Sequence, residues 1–220
     1  MYRQGMRTQS TDISNLDTLD SNILSHLEEL TGVWKYGTAK KVEFFPDEFT
    51  TVMLTTSDSP ELPKILKVLE LGPFITMDLE WYSQSQDSIS IYTFCTADLC
   101  ILIQQVGDAP RRELKDFILR NKFVVKDVGN DMKHLKSVFG YDFDFNYDDV
   151  HRTVFMKYHL KAGFDAMIES YANSEPTAAF KNKSIIFSDW DQIPLEPQQI
   201  LYATFDCVGL SKCYPNLPEH

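Results

Sequence analysis

Asp78 and Glu80 stand two apart at the end of an otherwise apolar run, Phe74-Ile75-Thr76-Met77-Asp78-Leu79-Glu80-Trp81, which follows a Gly72-Pro73 turn. The β-branched and aromatic residues of this run predict a buried strand. Period two then puts both carboxylates on one face and Leu79 on the other. Two acids placed this way repel each other, and more strongly once desolvated. A cation between them removes the conflict, and their hard oxygens suit magnesium, manganese or calcium. The plainer reading is a strand that runs out into solvent. Asp142-Phe143-Asp144 and Asp189-Trp190-Asp191 show how common the acid-x-acid pattern is in this chain.

Two further stretches offer acids to such a site. Asp131 follows the apolar Phe123-Val124-Val125 and a Gly129-Asn130 turn. It therefore falls in the first turn of a helix, where the dipole favours negative charge. An ordinary N-terminal helix acid explains it equally well, with Asp127 as a nearby decoy and Asn130 as an alternative cap. Tyr202 and Asp206, four apart after Pro197, share one face of a second helix with Gln199 and Gly209, a face without the aliphatic residues of a plain core stripe. The tyrosine and carboxylate form either a surface hydrogen bond or a pair that positions water beside a metal.

The elements that must carry these residues follow from periodicity. Met1 to about Ser21 is polar and is expected to be a mobile tail, leaving residues 22–220 as a single domain. Asn22 is a candidate cap for a short helix bearing Ile23, Leu24, Leu27 and Leu30. Val42 to Phe45 and Thr50 to Thr55 read as extended segments, and Pro60 opens a helix striped by Leu62, Ile65, Leu66 and Leu69. After the Asp78 strand, Ile89 to Cys95 and Leu99 to Ile103 are two more strands joined by a turn at Ala97-Asp98, making an antiparallel meander. Helices are expected over Pro110 to Asn121, Gly163 to Tyr171 and Pro197 to about Cys213. Strands first and helices later, with one more strand between them, is an α+β plan with helices on a mixed sheet.

Composition narrows the function classes. The 220 residues carry 21 basic and 32 acidic side chains, a net charge of −11, which argues against a non-specific nucleic-acid binder. An acidic cleft filled with cations is compatible with that charge. No apolar run is long enough to span a membrane, and no charged-then-apolar secretory leader is present. The four cysteines lack disulfide-framework or zinc spacing and are expected to be reduced intracellular thiols, in the nucleus or the cytoplasm.

Taken in order, Met77-Asp78-Leu79-Glu80-Trp81, Asp131 and Tyr202-Ala203-Thr204-Phe205-Asp206 resemble the three motifs of the DEDD-superfamily 3′–5′ exonucleases. The chain is similar to the subgroup with tyrosine in the third motif, since Leu201 stands where the other subgroup has histidine. Within that subgroup it looks most like the Werner-syndrome-type exonuclease domain, with Lys183-Ser184, Ser188-Asp189-Trp190 and Pro194-Leu195 ahead of the third motif. The resemblance runs from about Val42 to Tyr214. It departs at Val125, Lys126 and Asp127 before the second motif, at Thr93, and at Ile186, positions that touch substrate contacts more than metal binding.

The resemblance implies a ribonuclease-H-like mixed sheet flanked by helices and two magnesium or manganese ions. Asp78 would bridge both ions, Glu80 and Asp206 would complete one, Asp131 would hold the other through water, and Tyr202 would orient the attacking water. Attack on the last phosphodiester at the 3′ end of DNA or RNA would release a nucleoside 5′-monophosphate. The rival readings are a catalytically silent module that grips nucleic acid or a protein, and a calcium-stabilised domain. A recruiting protein partner is left open.

Overall fold

The two strands that follow the Asp78 run alternate large apolar side chains on both faces, which only the middle of a sheet covered on both sides accommodates. In the computed structural model, which describes residues 8–10, 38–82, 88–107, 111–152, 163–177 and 184–218, they form the centre of a mixed sheet. Its strands are β1 (Thr8–Ser10), β2 (Thr38–Phe45), β3 (Glu48–Thr56), β4 (Ile75–Glu80), β5 (Ile91–Thr96), β6 (Leu99–Gln104), β7 (Lys122–Val125) and β8 (Asn146–Asp149). The helices are α1 (Leu62–Leu69), α2 (Arg112–Arg120), α3 (Gly129–Phe139), α4 (Phe164–Tyr171) and α5 (Pro197–Cys213). Strand order is β1-β2-β3-β6-β5-β4-β7-β8. The β4-β5-β6 meander is antiparallel, whereas β3–β6, β4–β7 and β7–β8 are parallel.

Alternation along β5 and β6 divides the core into two layers. Tyr92, Phe94, Leu99, Ile101 and Ile103 face α1, α2 and α3, while Ile91, Cys95, Cys100 and Leu102 face α4 and α5. In the first layer Phe94, Phe117 and Phe123 meet edge to face or tilted, with centroids 5.2 to 5.7 Å apart. Such pairs add about 0.5–1.5 kcal/mol each beyond area burial. In the second layer α5 is nearly surrounded, and Gly209 lets α4 press close: a β-carbon there would stand 2.7 Å from both Ile168 Cδ1 and Phe164 Cζ.

The expected α+β plan of a mixed sheet flanked by helices is therefore what the chain forms. One detail differs, the state of two cysteines, and two expectations reach mostly beyond the described residues. Of the expected tail, only Thr8–Ser10 are described, and they pair with β2 as a strand. The helix expected after Asn22 lies outside the described residues. Cys95 and Cys100 are not separate reduced thiols but a disulfide, because the β5–β6 register sets them directly opposite with Cα atoms 4.1 Å apart. Cys207 and Cys213 are free and buried.

Candidate active site

β4 pairs with β5 from Thr76 to Glu80 but with β7 only at Ile75 and Thr76. Beyond Thr76 the sheet forks, and a cleft of about 290 Å³ opens at the strand's carboxyl end. Met77 and Leu79 are buried in the core, so Asp78 and Glu80 take the opposite face, half-buried and lining the cleft. This is the side of β4 on which α5 lies.

α5 is held in place by contacts that do not involve the acids. Thr76 Oγ1 donates to the Cys207 carbonyl at 3.1 Å, and the Cys207 thiol donates to the Thr93 carbonyl at 3.4 Å. At the other end Gln199, almost fully buried, donates from Nε2 to Ser188 Oγ at 3.0 Å and to the Asp189 carbonyl at 2.9 Å. Its Oε1 accepts the Glu196 backbone N–H at 2.9 Å, closing the first turn. The segment before the helix is tied to the sheet by Ser90 Oγ donating to Asp191 at 2.6 Å and Gln104 Nε2 donating to the Gln192 carbonyl at 2.6 Å. The Asp189–Asp191 pair is thus part of an anchor and lies outside the cleft lining. The polar Gln199 and the small Gly209 on the Tyr202 face likewise serve packing and anchoring.

With α5 so fixed, Tyr202 and Asp206 both line the cleft. Oxygen atoms of Asp78, Glu80 and Asp206 lie within 4.8 Å of one another. Tyr202 is buried, its ring 6.1 Å from that of Trp190, and its hydroxyl is held above the usual phenol range by burial first, then by Glu80, Asp78 and Asp165. That phenol is neutral at neutral pH. Asp131, in the first turn of α3, closes the cleft from the β7 side and is 7% exposed. Its carboxyl is pushed well above the ordinary value by burial, then by Asp78, Asp127 and Asp149. It lies outside the three-acid group but close enough to Asp78 to be repelled by it.

All five residues singled out in the sequence therefore line one cleft. Three carboxylates within one ion's reach and a fourth strained by like charge form a hard-oxygen donor set that fits a divalent cation. Met77, Leu79, Trp81, Lys126, Asp127, Asn130, Phe164 and Leu210 also line it; the sequence marks Met77, Leu79 and Trp81 within the first motif, Lys126 and Asp127 before the second, and Asn130 as a cap. Trp81 stacks on His134 at 4.0 Å, and His134 Nδ1 lies 3.1 Å from the Ser88 carbonyl oxygen. Nothing in the local spacing around Phe164 or Leu210 would have selected them.

Solved structures share this fold at low identity. Escherichia coli RNase D matches with a TM-score of 0.57 at 18% identity, over 74% of this chain and 42% of that one. The catalytic core of Rrp6 from Trypanosoma brucei gives 0.56 at 17%, over 73% and 45%. The Nibbler EXO domain of Aedes aegypti gives 0.59 at 15%, over 74% and 86%. The chain spans less than half the length of the RNase D and Rrp6 chains that it matches. No curated protein matches it by sequence. The family described as 3′–5′ exonuclease matches residues 53–219, a stretch that holds all four acids and the tyrosine, and the chain belongs to that family.

Proposed function

We propose that the chain is a metal-dependent 3′–5′ exonuclease that hydrolyses the terminal phosphodiester of a nucleic-acid strand and releases a nucleoside 5′-monophosphate. The observation that carries this reading is the convergence of Asp78, Glu80, Asp131, Tyr202 and Asp206 on one cleft. Asp78, Glu80 and Asp206 would hold one magnesium or manganese ion, and Asp78 with Asp131 a second. Bound there, such ions supply charge stabilisation to the attacking and leaving oxygens of an in-line displacement. Tyr202, being neutral, holds the attacking water by a hydrogen bond and does not act as base. Lys126 offers positive charge to the phosphate from the cleft wall. Trp81, backed by His134, presents an aromatic face at the same opening.

Tyr202, four residues before Asp206, supports assignment to the tyrosine subgroup, and the motif sequences support the Werner-syndrome type within it. RNA is the first substrate to try, since one of the similar structures is described as an exoribonuclease and another holds RNA U12. The test is a 5′-labelled single strand of RNA, then of DNA, incubated with magnesium and then manganese. A ladder shortening from the 3′ end is expected, with slower cleavage as salt rises. Binding without shortening under every condition would replace this reading with a silent binding module, and cuts in a closed circle would exclude an exonuclease.

A further inference from the structure

We propose that Asp149 is a positioning residue of this site: its carboxylate fixes the β7–α3 turn from which Asp131 enters the cleft. The inference deepens the exonuclease reading and rests on it. Parallel pairing with β7 sets Asp149 beside Val125, the last residue before that turn. From there Oδ1 accepts the Asp127 backbone N–H at 2.9 Å, and Oδ2 accepts the Val128 N–H at 3.3 Å. Oδ1 also accepts the N–H of His151 at 3.0 Å.

The two captured amides lie where the chain most needs holding. Asp127 sits in the left-handed region at φ 61°, a conformation that a residue with a β-carbon adopts rarely and that outside contacts must maintain. Val128 is the residue before α3, and its carbonyl accepts the first helical bond, from Met132 at 2.8 Å. α3 has no side-chain cap of its own, so its leading N–H groups depend on a partner from another element. Asp149 supplies one across the sheet to the Val128 N–H, the first of them. Asp131 follows Val128 by three residues, so any shift of the turn carries its carboxylate away from Asp78.

The chemistry of the brace is also telling. Asp149 lies close enough to Asp131 to repel its carboxylate. A carboxylate suits the place all the same, because its two oxygens accept both amides at once and its charge faces the N-terminal end of α3. A second acid near a cation site adds negative potential at the metal and orients the residue that holds it, the part that outer carboxylates play around metal ligands.

The test uses the intact chain with Asp149→Ala and Asp149→Asn, reading manganese affinity by calorimetry, single-turnover cleavage, KM and melting temperature. Asp149→Ala is expected to weaken manganese binding and single-turnover cleavage by about ten- to a hundredfold per folded molecule. KM for the strand should stay within about twofold, because the strand itself is not touched. Asp149→Asn keeps one oxygen acceptor and should recover part of both losses. A lowered melting temperature with wild-type manganese affinity and wild-type cleavage per folded molecule would reduce Asp149 to a structural residue and overturn the proposal. Should Asp149→Ala fail to fold, Asp149→Asn decides: weakened manganese affinity upholds the proposal and wild-type affinity overturns it. A wild-type chain that neither binds manganese nor cleaves would instead overturn the exonuclease reading, and the positioning role with it.

Discussion

Strands β4 and β8 each end in two acids, and the sheet uses them in opposite ways. Asp78 and Glu80 are two apart, so both point into the cleft, where with Asp206 they crowd oxygen atoms within 4.8 Å. Asp148 and Asp149 are adjacent, so they point to opposite faces. Asp148 accepts the Tyr214 hydroxyl at 3.0 Å on the α5 side, and Asp149 accepts backbone amides on the α3 side. One pair gathers with a third acid in the cleft, close enough together to hold a cation. The other is met by donors and holds two elements in place. A spacing of one residue separates a pair gathered in one cleft from a pair divided between two faces.

The largest effect should come from the first pair. Asp78→Asn is expected to lower turnover by more than about a thousandfold, since it removes the acid that belongs to the three-acid group and also acts on Asp131. Its metal-free melting temperature should equal or exceed that of the wild type, because a repelling charge is lost. The wild type should gain about 2.7 kcal/mol at a hundredfold excess of manganese over its dissociation constant, and the variant should lose most of that gain. Thermal melts with and without manganese check both statements. A full manganese response in the variant would mean that the crowded acids are not the ion site.

Two tyrosines on or beside α5 sharpen the contrast, Tyr202 in the cleft with Asp78 and Glu80 and Tyr214 bonded to Asp148. Tyr202→Phe keeps the ring against Trp190 and deletes only the hydroxyl, so single-turnover cleavage should fall by about ten- to a thousandfold. Manganese affinity should not move. Undiminished cleavage would remove the hydroxyl from the reaction.

Tyr214→Phe should be the mildest change, costing about 0.5–1.5 kcal/mol of stability for one hydrogen bond and leaving cleavage near wild type. Its pH signature is specific. The Tyr214 phenol is pushed up to about 12 by burial first and then by the hydrogen bond and charge of Asp148. A folded-state value above the unfolded one means that its contribution is fully present below about pH 10 and disappears as pH rises toward 12. Denaturant melts across that window should therefore show a shallower decline for Tyr214→Phe than for the wild type. Equal slopes would show that the phenol is not what the alkaline limb reports.

The same two strands mark how far the sequence could be read. β4, β5 and β6 were legible because strongly apolar residues with strand propensity leave little choice, and α5 ran from Pro197 to Cys213 as its opening proline and periodicity indicated. Asn146-Tyr147-Asp148-Asp149 carries no such signal, and β8 is a strand only because β7 offers it an edge. Its register with β7, which decides what Asp149 can reach, is a tertiary fact. So is the pairing of Cys95 with Cys100, and so is the role of Gln199, whose partners come from the segment before its own helix. Candidate ligands were readable because chemistry restricts them to few residue types. Their supports were not, since any residue with an acceptor at the right place would serve.

Gly209 gives the cleft a tolerance of a different kind. The missing side chain is what lets Phe164, whose ring would lie 2.7 Å from a β-carbon at that position, come to rest against α5 and also wall the opening beside Tyr202 and Asp206. The aperture on this flank is gauged by an absent methyl group. A single added carbon at 209 would displace Phe164 or α4 and so change the bore without altering a charge, a ligand or a hydrogen-bonding group. Drift at this helix position would thus resize the opening while every acid stays where it is.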